Sequence, residues 1–349
     1  MKIEIFPYRL QFKQPAGTSR GIYTTRDIYI VKIQHAGITG WGECAPLPDL
    51  SCDNLPPGEY LATLRRFAAQ IEATSSFPQE DLRSYPSMMM GFESALRHIK
   101  ARGWHHYPQT LFSQGVKGIP INGLVWMGSI DEMQQRLKQK LAEGYTCIKL
   151  KIGALDFDDE IRLVEQIRTV YCAADVEIRV DANGGFTAGD DCMYKLERLA
   201  RLSVHSIEQP IRPHQLKELA DICQRSPLPI ALDEELIGIN TLKAKRELLQ
   251  YVKPDYIVLK PTLHGGFMGA EEWISEAEAL GSKWWITSAL ESNIGLNALA
   301  QWTAYRMKDD YKMAQGLGTG HLFVHNFDNV PLTLQKGELN TLTKQTHAI

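Results

Sequence analysis

Apolar and polar positions change rhythm about a third of the way along the chain. In "IEIFPYRLQF" (3–12) and "RDIYIVKIQHAGITGWGECAP" (26–46) they alternate as in strands with one buried face, and "HAG" marks a turn between two antiparallel strands. From about Glu59 to Thr74, and from Ser87 to Arg102, apolar residues instead recur at helical spacing. Strands followed by helices predict an α+β unit over residues 1–110.

After Gly118 short apolar runs alternate with amphipathic stretches. The runs are "IPINGLVW", "TCIKLKIG", "EIRVDANGGF", "SIEQPI", "PIALDEEL", "YIVLKPTL", "WWITSALES" and "MAQGLGTG". Ser129, with Glu132 three residues on, has the pattern of a capping box opening the first intervening helix. Lys149, Asp181, Glu208, Asp233, Lys260, Ser288 and Gly316 follow one another at intervals of 32, 27, 25, 27, 28 and 28 residues. Eight strand-plus-helix units of this length predict an α/β fold, a (β/α) barrel over residues 111–325. A doubly wound sheet is the alternative, but no G-x-G-x-x-G follows the first strand. The polar residues named above fall at strand ends, where barrels of this kind carry their chemistry.

Lys149 and Lys151 share one face of a strand, roughly 6.5 Å apart at about 3.3 Å per residue. Two like charges so placed are unfavourable unless something answers them. The next three strands each end in an acid: Asp181, Glu208 and Asp233. One such acid caps a helix or pairs with a lysine as readily as it binds metal. Three in succession, flanked by lysines, favour a hard divalent cation, Mg²⁺ or alternatively Mn²⁺. Lys260 comes from the strand after the acids, on the side opposite Lys149 and Lys151. Neighbouring cations lower a lysine's pKa, so Lys149 is expected to make Lys151 a usable base. A cation between amines suits removal of a proton α to a carboxylate, because the enediolate that forms needs positive charge.

The series K-x-K, V-D-A-N, E-Q-P, D-E and K-P on successive strands resembles the enolase superfamily, and within it the muconate-lactonising subgroup. The resemblance covers nearly the whole chain. It implies an α+β capping domain before a (β/α)7β barrel, with residues 326–349 packing back on the capping domain. It implies Asp181, Glu208 and Asp233 as Mg²⁺ ligands and Lys151 and Lys260 as the acid/base pair. "ITSALESNIGLNALAQWTA", "QGLGTGHLF" and "GWGECAPLPDLS" are similar to a dehydratase branch of that subgroup. Its members convert a cyclohexadiene carboxylate to an aromatic precursor of menaquinone by syn dehydration. In that reaction Lys151 would do all the proton work, while Lys260 would stay cationic opposite it. Dipeptide epimerases of the subgroup carry Asp-x-Asp on the eighth strand, where this chain has Gly316-Leu317-Gly318. N-acylamino acid racemases lack that motif too and remain the alternative reading, together with the epimerases.

Further substrate contacts are expected from Ser288, as a binder of a substrate carboxylate, and from Arg179, Asn183, Gly316 and Gly318. Ser19 is expected to contribute from the loop "PAGTSRG", a short Gly/Ser segment suited to closing over the site. Arg179 could equally form a buried ion pair. Glu234 should point away from Asp233 in an ideal strand and serve as a helix-start charge. Trp284, Trp285 and the methionines at 88–90 read as packing.

Composition narrows the partners. The chain is 44% hydrophobic and 23% charged with a net charge of −3, which gives no electrostatic reason to expect nucleic acid. No apolar run approaches a membrane span, and the N-terminus lacks the apolar core of a signal peptide. The 6 cysteines are scattered without a C-x-x-C pair, as expected for reduced thiols in the cytoplasm. A small-molecule carboxylate is the expected partner. The sequence gives no oligomeric state.

Overall fold

Strands β1 (Lys2–Thr18), β2 (Gly21–His35) and β3 (Ile38–Cys44) form an antiparallel sheet in that order. The turn between β2 and β3 has Ala36 and Gly37 at φ 49° and 77°, the left-handed pair that suits a two-residue hairpin. Both faces of β2 are covered. Tyr29, Val31 and Ile33 pack on Tyr60, Leu64 and Phe67 of helix Pro57–Thr74 and on Met88, Met89 and Phe92 of helix Pro86–Ala101. Ile28 and Ile30 face the other way, against Ala289, Leu290 and Ile294. The second helix lies so close to β3 that a Cβ at Gly42 would run into the Gly91 carbonyl, so glycine is required there. The computed structural model describes residues 1–18, 21–126, 128–308 and 311–342.

A short strand, β4 (Ile119–Pro120), precedes the barrel. The barrel strands are β5 (Gly123–Val125), β6 (Cys147–Lys151), β7 (Glu177–Asp181), β8 (Ser206–Glu208), β9 (Ile230–Leu232), β10 (Tyr256–Leu259) and β11 (Lys283–Ile286). They are parallel and ordered consecutively. The eighth position is held by Gln315 and Gly316, which close the ring through single bridges to Ile121 and Thr287. The fold is thus a (β/α)7β barrel behind an N-terminal β-rich domain. Helices between strands bury one stripe each; helix Ile130–Ala142 buries Met133 and Leu137 and opens on the Ser129–Glu132 capping box.

The C-terminal segment divides its contacts. Phe323 and Val330 join Leu10, Phe12, Ile28 and Ile30 in the cluster on the capping sheet. Beyond them β12 (Leu332–Gln335) and β13 (Glu338–Thr341) form a hairpin whose second strand pairs with β4 at the start of the barrel. The end of the chain thus divides between the capping sheet, reached by Phe323 and Val330, and the barrel, reached by β13. The hairpin goes to the barrel because β4 offers a free edge for its hydrogen bonds.

Candidate active site

Parallel register fixes the centre of the site. Lys151 pairs with Asp181 and Asp181 with Glu208, so three strand ends meet on one rung. Asp233 follows just beyond β9, and Lys260 just beyond β10. Asp181, Glu208 and Asp233 are all buried, and so is Lys149. Lys149 Nζ lies 2.7 Å from Asp181 and 2.6 Å from Glu208. Lys151 Nζ lies 2.6 Å from Asp181 and 2.7 Å from Asn183 Oδ1. Lys260 pairs with Asp233 on the far side. Lys149, Lys151, Lys260 and Asn183 all line one cavity at the barrel mouth.

Burial works against the Lys149 ammonium, but Asp181, Glu208 and Asp233 outweigh it and hold its pKa above the ordinary lysine value. Lys260 is likewise raised: burial lowers it, and Asp233, Glu208 and Glu234 more than compensate. Burial would raise Asp181, yet Lys149 and Lys151 hold it well below the usual carboxylate range. Glu208 moves the other way, raised by burial and by Asp181, because three carboxylates this close cannot all ionise freely.

Among the described residues no three His, Cys, Asp or Glu side chains stand so as to hold a metal ion, since the acid oxygens face the lysines. The donor set nevertheless fits a hard cation. Glu208 Oε1 and Asp233 Oδ1 are buried without a hydrogen-bond partner, an arrangement that is costly unless a cation or donor answers them. Three carboxylates from adjacent strands are the oxygen ligands such a cation takes.

Other expectations divide. Gly316 and Gly318 line the cavity, and a Cβ at Gly316 would strike Thr287 Oγ1, so only glycine fits there. Ser288 lines it too, but its hydroxyl donates to Glu291 Oε2 at 2.5 Å while Thr319 donates to it at 2.7 Å. Glu291 is buried and also accepts from Thr262 and from the Ala289 N–H. Ser288 therefore has no proton left for a substrate carboxylate, against the expectation. Arg179 does not line the cavity. It pairs with Glu177 at 2.7 Å, donates to the Ala314 carbonyl at 2.9 Å and lies over Trp285, buried beneath the site. Arg179 shares the inward face with Asp181, but its guanidinium is engaged by Glu177 and the Ala314 carbonyl. Ser19 lies outside the described residues.

Three further residues stand at the site without having been expected there. Glu234 lines the cavity and accepts from Asn183 Nδ2 at 2.9 Å. It does so because β9 ends at Leu232 and a 3-10 turn spans Glu234–Leu236, so strand alternation no longer applies. His264 Nδ1 accepts from the Lys260 N–H at 2.9 Å, and burial depresses its pKa to about 3. Arg26 of β2, also buried, donates to the carbonyls of Ala45 and Pro46 at 2.6 and 2.9 Å and of Ala289 and Leu290 at 3.0 and 3.3 Å. It thereby ties two loops whose Leu47, Leu50, Ala289 and Leu290 line the cavity.

A barrel with an acid triplet between lysines at its mouth defines a class of proteins that remove protons α to carboxylates. The family model described as "Enolase C-terminal domain-like" matches residues 132–345, and "MenC, N-terminal domain" matches residues 1–99. An o-succinylbenzoate synthase of Desulfotalea psychrophila is 42% identical over 91% of this chain and 93% of that protein. The crystal structure of MenC from the same organism superposes with a TM-score of 0.80 at 37% identity, covering 98% of this chain and 99% of that one. An L-Ala-D/L-Glu epimerase of Bacillus subtilis is 27% identical over 87% of this chain and 84% of that protein. The chain belongs to the enolase superfamily and, within it, to the o-succinylbenzoate synthase family of lyases.

Proposed function

We propose that the chain catalyses Mg²⁺-dependent syn dehydration of 2-succinyl-6-hydroxy-2,4-cyclohexadiene-1-carboxylate to o-succinylbenzoate, a step of menaquinone biosynthesis. The observation that carries this reading is one cavity with amines on both sides of a carboxylate cluster and uncharged Gly316 and Gly318 on the closing strand. Asp181, Glu208 and Asp233 would hold the metal, with Mn²⁺ as a substitute. When bound, it supplies positive charge to the substrate carboxylate and so makes the α-proton removable.

Lys151 takes the α-proton, and the C–H electron pair moves into the ring carboxylate system. The ring hydroxyl then leaves on the same face with that proton from Lys151, giving water and the aromatic ring. Asn183 orients the Lys151 amine through its 2.7 Å contact and is itself held by Glu234. Lys260 stays cationic on the opposite face, where its charge steadies the developing anion. Lys149 keeps Asp181 and Glu208 in place and offsets their charge. The cytoplasm suits the scattered cysteines, which are free.

The test is purified protein with Mg²⁺ and the cyclohexadiene substrate, followed by the absorbance of the aromatic product. No aromatic product, with rapid α-proton exchange of an N-succinylamino acid in D₂O, would put racemisation in place of dehydration.

A further inference from the structure

The cavity does not end at the barrel axis. Past Gly316 and Gly318 it reaches Arg136, Gln139 and Lys140 of helix Ile130–Ala142, with His321 beside them. These residues lie on the side of the barrel where the ring closes, its seam. The ring closes there through single bridges, Ile121 to Gln315 and Thr287 to Gly316, and not through a ladder. A Cβ at Gly123 would press on the Tyr145 ring, on Ile148 and on the Lys140 stem, all of which lie close against β5.

Besides the three barrel lysines, the Lys and Arg side chains lining the cavity among the described residues are Arg136 and Lys140. They stand four residues apart on one helix face, with Gln139 between them. Arg136 Nη1 is fixed by its bond to the Trp126 carbonyl at 3.0 Å. Their acidic neighbours lie further out. Lys140 is 16% exposed and its partner Glu143 39%, while Arg136 is 34% exposed and Glu132 57%. Glu143 takes one hydrogen bond from Lys140 Nζ and one from Gln139 Nε2, both at 2.7 Å, so a substrate carboxylate meets their remaining N–H donors.

At the other candidate position, Ser288 has spent its proton on Glu291. A negative charge brought there meets a buried carboxylate without a donor. A substrate with a second carboxylate on a flexible arm has its complement at the seam.

We propose that Arg136 and Lys140, with Gln139, form a subsite for the second carboxylate of a dianionic substrate, leaving the ring carboxylate for the Lys149–Asp233 end of the cavity. The inference rests on the dehydratase reading above, in which that group is the end of the succinyl arm. It makes the seam, and not the seventh-strand serine, the part of the cavity that selects the arm. Charge-assisted hydrogen bonds to carboxylate are what guanidinium and ammonium groups supply best.

The test is binding of the product to the Mg²⁺-loaded protein, measured by titration calorimetry. Two probes are compared: o-succinylbenzoate and its analogue with the terminal carboxylate replaced by a primary amide. Wild type should prefer the dicarboxylate by about tenfold or more, the size of one or two charge-assisted bonds. Arg136→Met and Lys140→Met should lose that preference while binding the amide as wild type does. In dehydration assays both should raise KM and keep kcat within a few-fold. Lys140→Arg should restore the preference, which a merely structural role would not explain. Equal weakening of both probes, or no wild-type preference, would overturn the subsite. Should either methionine variant fail to fold, the other variant and the wild-type preference still decide. Turnover is not needed for these titrations. A wild type that prefers the dicarboxylate yet makes no aromatic product from the cyclohexadiene would sink the dehydratase reading and keep the subsite.

Discussion

Buried charge is balanced in opposite ways at the barrel mouth and at the joint between the domains. At the mouth, Lys149, Lys151 and Lys260 face Asp181, Glu208 and Asp233 at ion-pair distance. At the joint, Arg26 meets no carboxylate in direct contact among the described residues; it donates to four backbone carbonyls. Glu43 accepts from the Ser292 and Gly295 N–H groups, at the N-terminus of helix Asn293–Met307, and from the Ser292 hydroxyl. Paired charges can exchange partners, so a metal and a substrate anion can enter among them. Charges solvated by fixed backbone dipoles cannot, and they serve to hold loops in place. The mouth is therefore built for chemistry and the joint for position.

Breaking the mouth should cost the most. Lys151→Ala should lower kcat about 10³-fold or more, since it removes the proton-transfer group. Asp233→Asn, Glu208→Gln or excess chelator should abolish turnover while the far-ultraviolet circular dichroism stays as in wild type. Full activity in chelator would overturn the metal assignment.

The two lysines should then prove unequal. Lys260→Arg keeps the positive charge and should retain a measurable part of dehydratase activity, whereas Lys260→Ala should fall about 10²-fold, the cost of losing a charged stabiliser. A racemase needs a base on each face, and arginine does not deprotonate at working pH. Lys260→Arg as inactive as Lys151→Ala would thus favour racemisation.

At the joint the expected losses are in stability and KM. Arg26→Met strands four carbonyls and should destabilise by about 3 kcal/mol in urea titrations. It should also raise KM, since the loops bearing Leu47, Leu50, Ala289 and Leu290 lose their tie. Arg26→Lys should recover only part, because an ammonium cannot reach in four directions from a planar fork. A variant with wild-type KM and stability would show that the loops hold themselves.

The smallest effect is a pH slope. Burial raises Glu43 from 4.5 to about 7, against the pull of its Ser292 hydrogen bonds, and Glu291 adds to the rise. Arg26 also faces Glu43 from β2. Burial raises Glu93 to about 7 as well, against hydrogen bonds from Phe267 and Met268 and the charge of Arg97. The folded state binds these protons more tightly than the unfolded chain. Their contribution is therefore full below pH 4.5 and is lost as pH rises through about 7, by at most about 3 kcal/mol per group. Glu43→Gln should flatten that slope between pH 5 and 8, read from urea midpoints. On the acid side burial depresses His98 to about 4 and His106 to about 3, so stability should also fall as pH drops below 6.5. An unchanged slope in Glu43→Gln would mean that the carboxyl is ionised throughout.

The mouth was the legible half of this comparison. Strand alternation and a repeat of 25 to 32 residues are local properties, and they put Lys149, Lys151, Asp181, Glu208, Asp233 and Lys260 at strand ends before any contact was known. The joint was not legible, because its partners lie far apart: Glu43 and Ser292 are 249 residues distant, and Arg26 and Leu290 264. No periodicity links such positions. Strand alternation misled at Glu234, because β9 ended early, and it left Arg179 between a site role and a buried ion pair, of which the structure has the pair with Glu177.

The sequence by itself determined the fold class, the barrel's repeat, the capping box at Ser129 and the placing of lysines and acids at the strand ends of the mouth. Each depends on residue type and spacing within one strand–helix unit. Tertiary structure alone decided that the Ser288 hydroxyl donates to Glu291, how the C-terminal hairpin chose β4, and that the cavity extends along the seam to Arg136 and Lys140. Those outcomes turn on hydrogen-bond directions and closing distances between segments remote in the chain. Only the packed molecule sets such distances, because burial makes every unpaired donor or acceptor costly and so forces each one to a particular partner.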